Sequence, residues 1–208
     1  PGMILLCLAY FFLTAYRDFR DNFQAELFSD LKITDPAAFN RTETPIAFGV
    51  MASLVVLYFI RNNRLGLIGA YVIMIGGLTL MGLSTLLFQT GQIGGETWMI
   101  LSGLGAYLAY VPYGSVLFDR TIAHTHFAGT AVFAIYLTDA IGYTGSVGAT
   151  LYKDLFQAES SRLDFMLGFT NFMAILGFVL LLFSLLYFLR VKPASASPKA
   201  SPEPDSST

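Results

Sequence analysis

Residues Cys7, Tyr10, Thr14, Arg17, Asp21 and Gln24 recur at spacings of three or four. At 100° per residue they share one stripe of a helix, with Asp18 and Arg20 flanking it. A second set, Tyr136, Asp139, Tyr143, Ser146 and Thr150, repeats the pattern, with Gly142, Gly145 and Gly148 beside or opposite it. Guanidinium and carboxylate groups in such stripes can pair with one another, bind a charged solute or carry a proton. In lipid each would cost about 2.5–3.5 kcal/mol at the bilayer centre on insertion scales, so the stripes must face protein or water. The bland alternative for the first stripe is an interfacial position, since at 1.5 Å per residue Arg17 stands about 21 Å beyond Met3. For Asp139 it is a structural hydrogen-bonding carboxylate.

Arg17 and Arg20 oppose Asp18, Asp21 and Asp139, which leaves one carboxylate without a cation in this chain. Carboxylates inside spans commonly serve proton relays, so the imbalance motivates proton coupling. Tyr107 and Tyr110 sit one turn apart ahead of Pro112 and Tyr113. Proline removes a backbone donor and bends a helix, which makes the two tyrosines candidate cavity-lining residues together with Tyr10, Thr14, Gln24, Tyr136, Tyr143 and Ser146. Packing or interface anchoring is the alternative for such tyrosines.

Other chemistries lack their residues. Asp119, His124 and His126 give a DxxxxHxH spacing with too few ligands for a defined metal site, so neither metal nor cofactor is expected. No HExxH, no Gly-x-Ser-Gly with a helical His and no phosphate-binding loop occurs. An intramembrane enzyme using Asp18, Asp21 or Asp139 as acid and base would lack a nucleophile or metal, so the chain is expected not to be an enzyme. Asn40-Arg41-Thr42 fits a glycosylation sequon, and the single Cys7 cannot form an internal disulfide.

The elements that position these residues follow from where charge is absent. Only 12% of the 208 residues are charged, about half the share in soluble chains, and the mean hydropathy is +0.62. Leu65 to Gly95 and Phe165 to Leu189 contain no charged side chain. About 20 apolar residues cross a hydrocarbon layer as a helix. Soluble enzyme, nucleic-acid binder and disulfide-stapled secreted domain are thereby disfavoured. Charge-free windows predict an all-α membrane protein with six spans, at about 2–24, 45–60, 65–88, 97–118, 127–152 and 165–189. The third and sixth carry no ionisable residue and read as lipid-facing. Pro193 to Thr208 is rich in Pro, Ala and Ser and reads as a disordered tail. Beginning at Pro1 with apolar residues at once, the chain reads as a fragment or a processed product. Arg61, Arg64, Arg120, Arg190, Lys192 and Lys199 fall on one side, against Lys32, Arg41, Lys153 and Arg162 on the other. That bias places the tail in the cytoplasm, unless Arg17 and Arg20 count as loop residues.

Six helices with polar first and fifth members and a tight basic turn between the second and third resemble the C-terminal half of a major facilitator superfamily transporter. The turn Arg61-Asn62-Asn63-Arg64-Leu65-Gly66 is similar to that family's basic cytoplasmic loop, keeping two arginines and the glycine but lacking its acidic residue. Tyr16-Arg17-Asp18-Phe19-Arg20-Asp21-Asn22-Phe23, Leu117-Phe118-Asp119-Arg120 and Asp139 to Gly148 resemble an uncharacterised bacterial membrane-protein family related to those transporters, over about Gly2 to Lys192. The resemblance implies a 3+3 half bundle in the bacterial inner membrane, with the third and sixth helices as outer scaffolding. It also implies a second six-helix half, N-terminal to Pro1 or in another copy.

The function expected is transport of a small solute by alternating access. Arg17, Asp18, Arg20, Asp21 and Asp139 would couple or bind charge, and the paired arginines favour an anionic or zwitterionic solute. The competing class is a non-transporting sensor or assembly subunit whose Arg and Asp residues form internal salt bridges.

Overall fold

The computed structural model describes residues 2–125, 130–157 and 159–190. The expected tail and His126 lie outside them. Among the described residues there is no strand, and the order is α1 (Gly2–Asn22), α2 (Gln24–Asp30), α3 (Ala38–Phe59), α4 (Asn63–Gln89), α5 (Gly95–Pro112), a π-helical turn (Tyr113–Leu117), α6 (Phe118–Thr125), α7 (Ala131–Phe156) and α8 (Arg162–Arg190).

Local chemistry explains most boundaries. The Asn62 side chain accepts from the Arg64 and Leu65 amides at 2.9 and 3.1 Å and so caps α4. At the other end of α4 Gly91 takes φ +73, a conformation open to glycine, and the Gln92 amide reaches back to the Leu87 carbonyl. Beyond Pro112, whose ring cannot donate to the preceding turn, the backbone loosens into the π turn before resuming as α6.

Five helical segments are long and apolar enough to cross a membrane: Gly2–Asn22, Ala38–Phe59, Asn63–Gln89, Gly95–Ile122 and Arg162–Arg190. The fifth expected span corresponds to α7. Its 26 residues are long enough, but Thr138, Asp139, Tyr143, Thr144 and Ser146 make it too polar to qualify on composition. The second span starts earlier than expected, at Ala38, because Pro45 lies inside α3 rather than at its first turn. The first is broken at Phe23, after which the short α2 continues.

Four helices close a ring: α1 packs on α8, α8 on α4, α4 on α5 and α5 on α1. Outside it, α7 leans on α1 and α3 on α5. This arrangement differs from the expected peripheral placement for the third span, α4, whereas the sixth, α8, joins the ring with its most apolar stretch only 28% buried, in keeping with a lipid-facing outer side. The most apolar stretch of α4 is 44% buried, against 17% for α3. A helix without charge suits protein as well as lipid, and small residues decide which it meets. A Cβ on Gly77 would stand 2.5 Å from the Gly105 carbonyl, and one on Gly82 would stand 2.8 Å from Ala174 Cβ, so α4 sits against α5 and α8 backbone to backbone. Within the ring, Trp98 donates to Thr85 at 2.9 Å, and the hydroxyls of Tyr71 and Ser184 lie 2.7 Å apart.

Candidate functional site

The α1 stripe faces the ring interior and one flank, and it divides into two clusters. Nearer the α1 N-terminus, the Tyr10 hydroxyl lies between two partners, Tyr110 of α5 at 2.8 Å and the Asp139 carboxylate of α7, to which it donates. Having one proton, it serves one partner at a time, with Tyr110 able to supply the other bond. Tyr10 is itself buried, stacked on Tyr110 with ring centroids 5.2 Å apart and edge-on to Tyr113 at 4.9 Å. Two turns along α1, the Arg17 guanidinium lies 4.2 Å above the Tyr110 ring and pairs with Asp18. A continuous path of polar contacts thus runs from Asp139 through two tyrosines to an arginine and its carboxylate.

Backbone approach makes this possible. α1 and α7 meet where glycines replace side chains: a Cβ on Gly142 would stand 2.6 Å from Thr14 Oγ1, and one on Gly145 would stand 2.8 Å from the Phe11 carbonyl. Only at that separation can a tyrosine on one helix reach a carboxylate on the other. Thr14 Oγ1 itself has no hydrogen-bond partner among the described residues.

The second cluster surrounds Arg20, whose side chain is 0% exposed. One of its terminal nitrogens lies 2.8 Å from Glu43 of α3 and 3.2 Å from the Met99 carbonyl of α5, and the other lies 3.3 Å from Asp21. Gln24 also donates to Glu43, at 2.6 Å, and Tyr107 donates to Asp21 at 2.7 Å. Gly103 makes the space, since a Cβ there would stand 2.6 Å from the guanidinium. Arg20 Nε has no hydrogen-bond partner among the described residues.

Glu43 is the functional-type residue that the sequence reading missed, because the second span was begun at Pro45. The signal was present in Ala38, Thr42 and Ile46, buried at four-residue spacing, which carries the α3 face back through Glu43. Its inclusion sets two guanidiniums against four carboxylates. Among the described residues no cation pairs with Asp139.

Other expected lining residues lie elsewhere. Tyr136 and Tyr143 are 71% and 57% exposed, because at 100° per residue they flank Asp139 on the side of α7 turned away from α1. Ser146 is half-buried and joins neither cluster. In the basic turn Arg61 and Arg64 are exposed, and Arg120 donates to the Ile60 and Arg61 carbonyls and to Asn63. Gly66 lets it pass, as a Cβ there would be 3.0 Å from Arg120 Nε. Asp119 is exposed, and the described residues contain no group of three His, Cys, Asp or Glu able to hold a metal.

At the opposite end of the bundle Arg41 bridges Asp35 at 2.5 Å and Glu96 at 2.8 Å, tying the start of α3 to the start of α5. The Arg41 bond, with a further one from the Ala37 amide, holds the Asp35 carboxyl below its usual range.

No curated protein and no solved structure is significantly similar to the chain. Residues 1–191 match a family of unknown function, DUF5690. With nearly the whole of its described helical part inside that match, the chain belongs to the DUF5690 family.

Proposed function

We propose that the chain is half of a secondary transporter that moves a small anionic or zwitterionic solute by alternating access, with proton coupling through Asp139. The carrying observation is the partner of Asp139: a tyrosine hydroxyl on a neighbouring helix, with no cation among the described residues. A carboxylate held that way accepts and releases a proton without breaking an ion pair, and the path through Tyr10 and Tyr110 links that event to Arg17. In this reading α7 also crosses the membrane, as the fifth span, and the six helices form a 3+3 half of the major facilitator type. The outward faces of α3 and α7 meet a second six-helix half, N-terminal or from another copy. The protein lies in the bacterial inner membrane with its tail in the cytoplasm, and it catalyses no covalent chemistry.

The test is uptake of a panel of organic acids and amino acids into proteoliposomes under an imposed pH gradient, using the full-length protein. Gradient-driven uptake of at least one solute is expected, and Asp139→Asn should abolish its pH dependence. Retention of the wild-type pH dependence in that variant would remove Asp139 from coupling.

One observation favours the second reading, a non-transporting sensor or assembly subunit: Arg20 is enclosed and held from three helices, as a structural salt bridge would be. Cysteine substitutions at Tyr107 and Tyr110 separate the two. Transport requires both to react with a polar thiol reagent from one side of the membrane at a time. A closed core leaves both inert.

A further inference from the structure

α7 and α8 both pack on α1 but barely touch each other, leaving a cleft with α1 as its floor. Where the C-terminal half of α7 passes the N-terminal half of α8, the cleft widens into a cavity of about 570 Å³. Its walls carry six aromatic rings: Phe11 and Phe12 of α1, Tyr152 of α7, and Phe165, Phe169 and Phe172 of α8. They form an unbroken series. Successive centroids from Phe11 through Phe12, Phe172, Phe169 and Phe165 to Tyr152 are 5.0, 5.5, 6.5, 5.7 and 6.4 Å apart.

The polar side chains are those of Gln157, Asp164 and, through its hydroxyl, Tyr152, and among the described residues no Lys, Arg or His lines the cavity. No cation pairs with Asp164 among the described residues. Arg162, two positions away, is engaged with Asp154 at 2.7 Å and lies 4.1 Å over the Phe23 ring. A carboxylate in the first turn of α8 also complements the helix dipole, and aromatic residues commonly fill helix interfaces. Neither fact accounts for the glycines. Gly145 also lines this cavity but is closed against Phe11, whereas Gly148 and Gly168 line it and have nothing within 4 Å of an added Cβ. They hold space open where any larger residue would fill it.

The geometry points to a binding site for a lipophilic organic cation, seated in the α7–α8 cleft with its charge among the ring faces and Asp164 and its apolar body in the cavity. Aromatic faces are electrostatically negative and attract a cation, more strongly where water is excluded. An anion would meet the same rings and the carboxylate, with only the neutral Gln157 amide and Tyr152 hydroxyl as side-chain donors among the described residues and no cation to offset them. The site is separate from the Tyr10–Asp139 contact and does not depend on the transport reading.

Tetraphenylphosphonium and tetraphenylborate, nearly identical in size and shape but opposite in charge, test it by equilibrium dialysis against the full chain in lipid nanodiscs, with empty nanodiscs subtracted. Saturable binding of the phosphonium alone is expected. Asp164→Asn should weaken it about threefold, as loss of an exposed charge partner does. Gly168→Leu should abolish it while leaving the helical circular dichroism intact. If that variant melts early, Gly148→Leu fills the cavity from the α7 wall and carries the same expectation. Equal saturable binding of both ions, or phosphonium binding that survives a folded glycine variant, would overturn the proposal.

Discussion

The two charge clusters on α1 use similar residue types a few turns apart, yet their surroundings give them opposite characters. Around Arg20 the cation is fully enclosed, three helices supply its partners, and the carboxylates Asp21 and Glu43 reach outward with side chains 37% exposed. Around Asp139 the carboxylate is the enclosed partner's ligand, no cation among the described residues answers it, and hydroxyls replace charges. A buried cation with paired carboxylates is locked, because removing either side strands a charge. A carboxylate bonded to a hydroxyl can change charge at the cost of rearranging one hydrogen bond. One helix stripe thus takes part in a structural clasp and, with α7, in a hydroxyl–carboxylate junction.

That contrast is open to attack at several points. The largest effect is expected from Arg20→Met, which strands Glu43 and Asp21 and should lower stability by about 2–3 kcal/mol in detergent unfolding experiments, the low end for a buried pair since both carboxylates reach water. Unchanged stability would mean that Arg20 is no clasp. Gly142→Val comes next: the added atoms collide with Thr14, and overpacking of this kind costs about 1–3 kcal/mol. The same variant should separate Tyr10 from Asp139, so it ought to diminish gradient-driven uptake as well. Gly148→Ala, with open space at its Cβ, should be neutral or slightly stabilising in the same assay.

A smaller loss, about 1 kcal/mol, is expected for Tyr10→Phe, which deletes one hydroxyl and its bonds but no charge. If it destabilises as much as Arg20→Met, the junction is as structural as the clasp and the comparison fails. The mildest effect belongs to Asp35, at the exposed end of the bundle. Its carboxyl is held below the ordinary range, chiefly by Arg41, so the contribution is complete above the ordinary aspartate pKa and vanishes as pH falls through the depressed folded value. Asp35→Asn should therefore lower stability slightly at neutral pH and converge with the wild type at low pH, which flattens the acid limb of a stability-versus-pH curve.

Much of this was legible in the chain. Spacings of three and four brought Tyr10, Thr14, Arg17, Asp21 and Gln24 onto one stripe, and the surplus of carboxylate over guanidinium was countable without a structure. Residue order also carried the capped turn at Asn62. Less legible was Glu43, hidden behind Pro45, because proline is read as a helix start when it can also be accommodated inside a helix whose face is otherwise well packed. Tyr136 and Tyr143 misled for a related reason. Helical spacing groups residues by face but does not say which face a neighbour covers.

The sequence by itself determined that this is an apolar helical chain with charge rationed to a few positions, since hydropathy and helix length are local properties fixed by composition. Which helices touch was decided only in three dimensions. α4 and α8, whose long central stretches both lack charge, became ring members because glycines at positions 77, 82, 105 and 177 admit close neighbours. Tyr10 met Asp139, 129 residues away, because Gly142 and Gly145 bring α7 against α1. Pairings of this kind depend on shape matched between distant segments, and no window of one segment contains the other's surface.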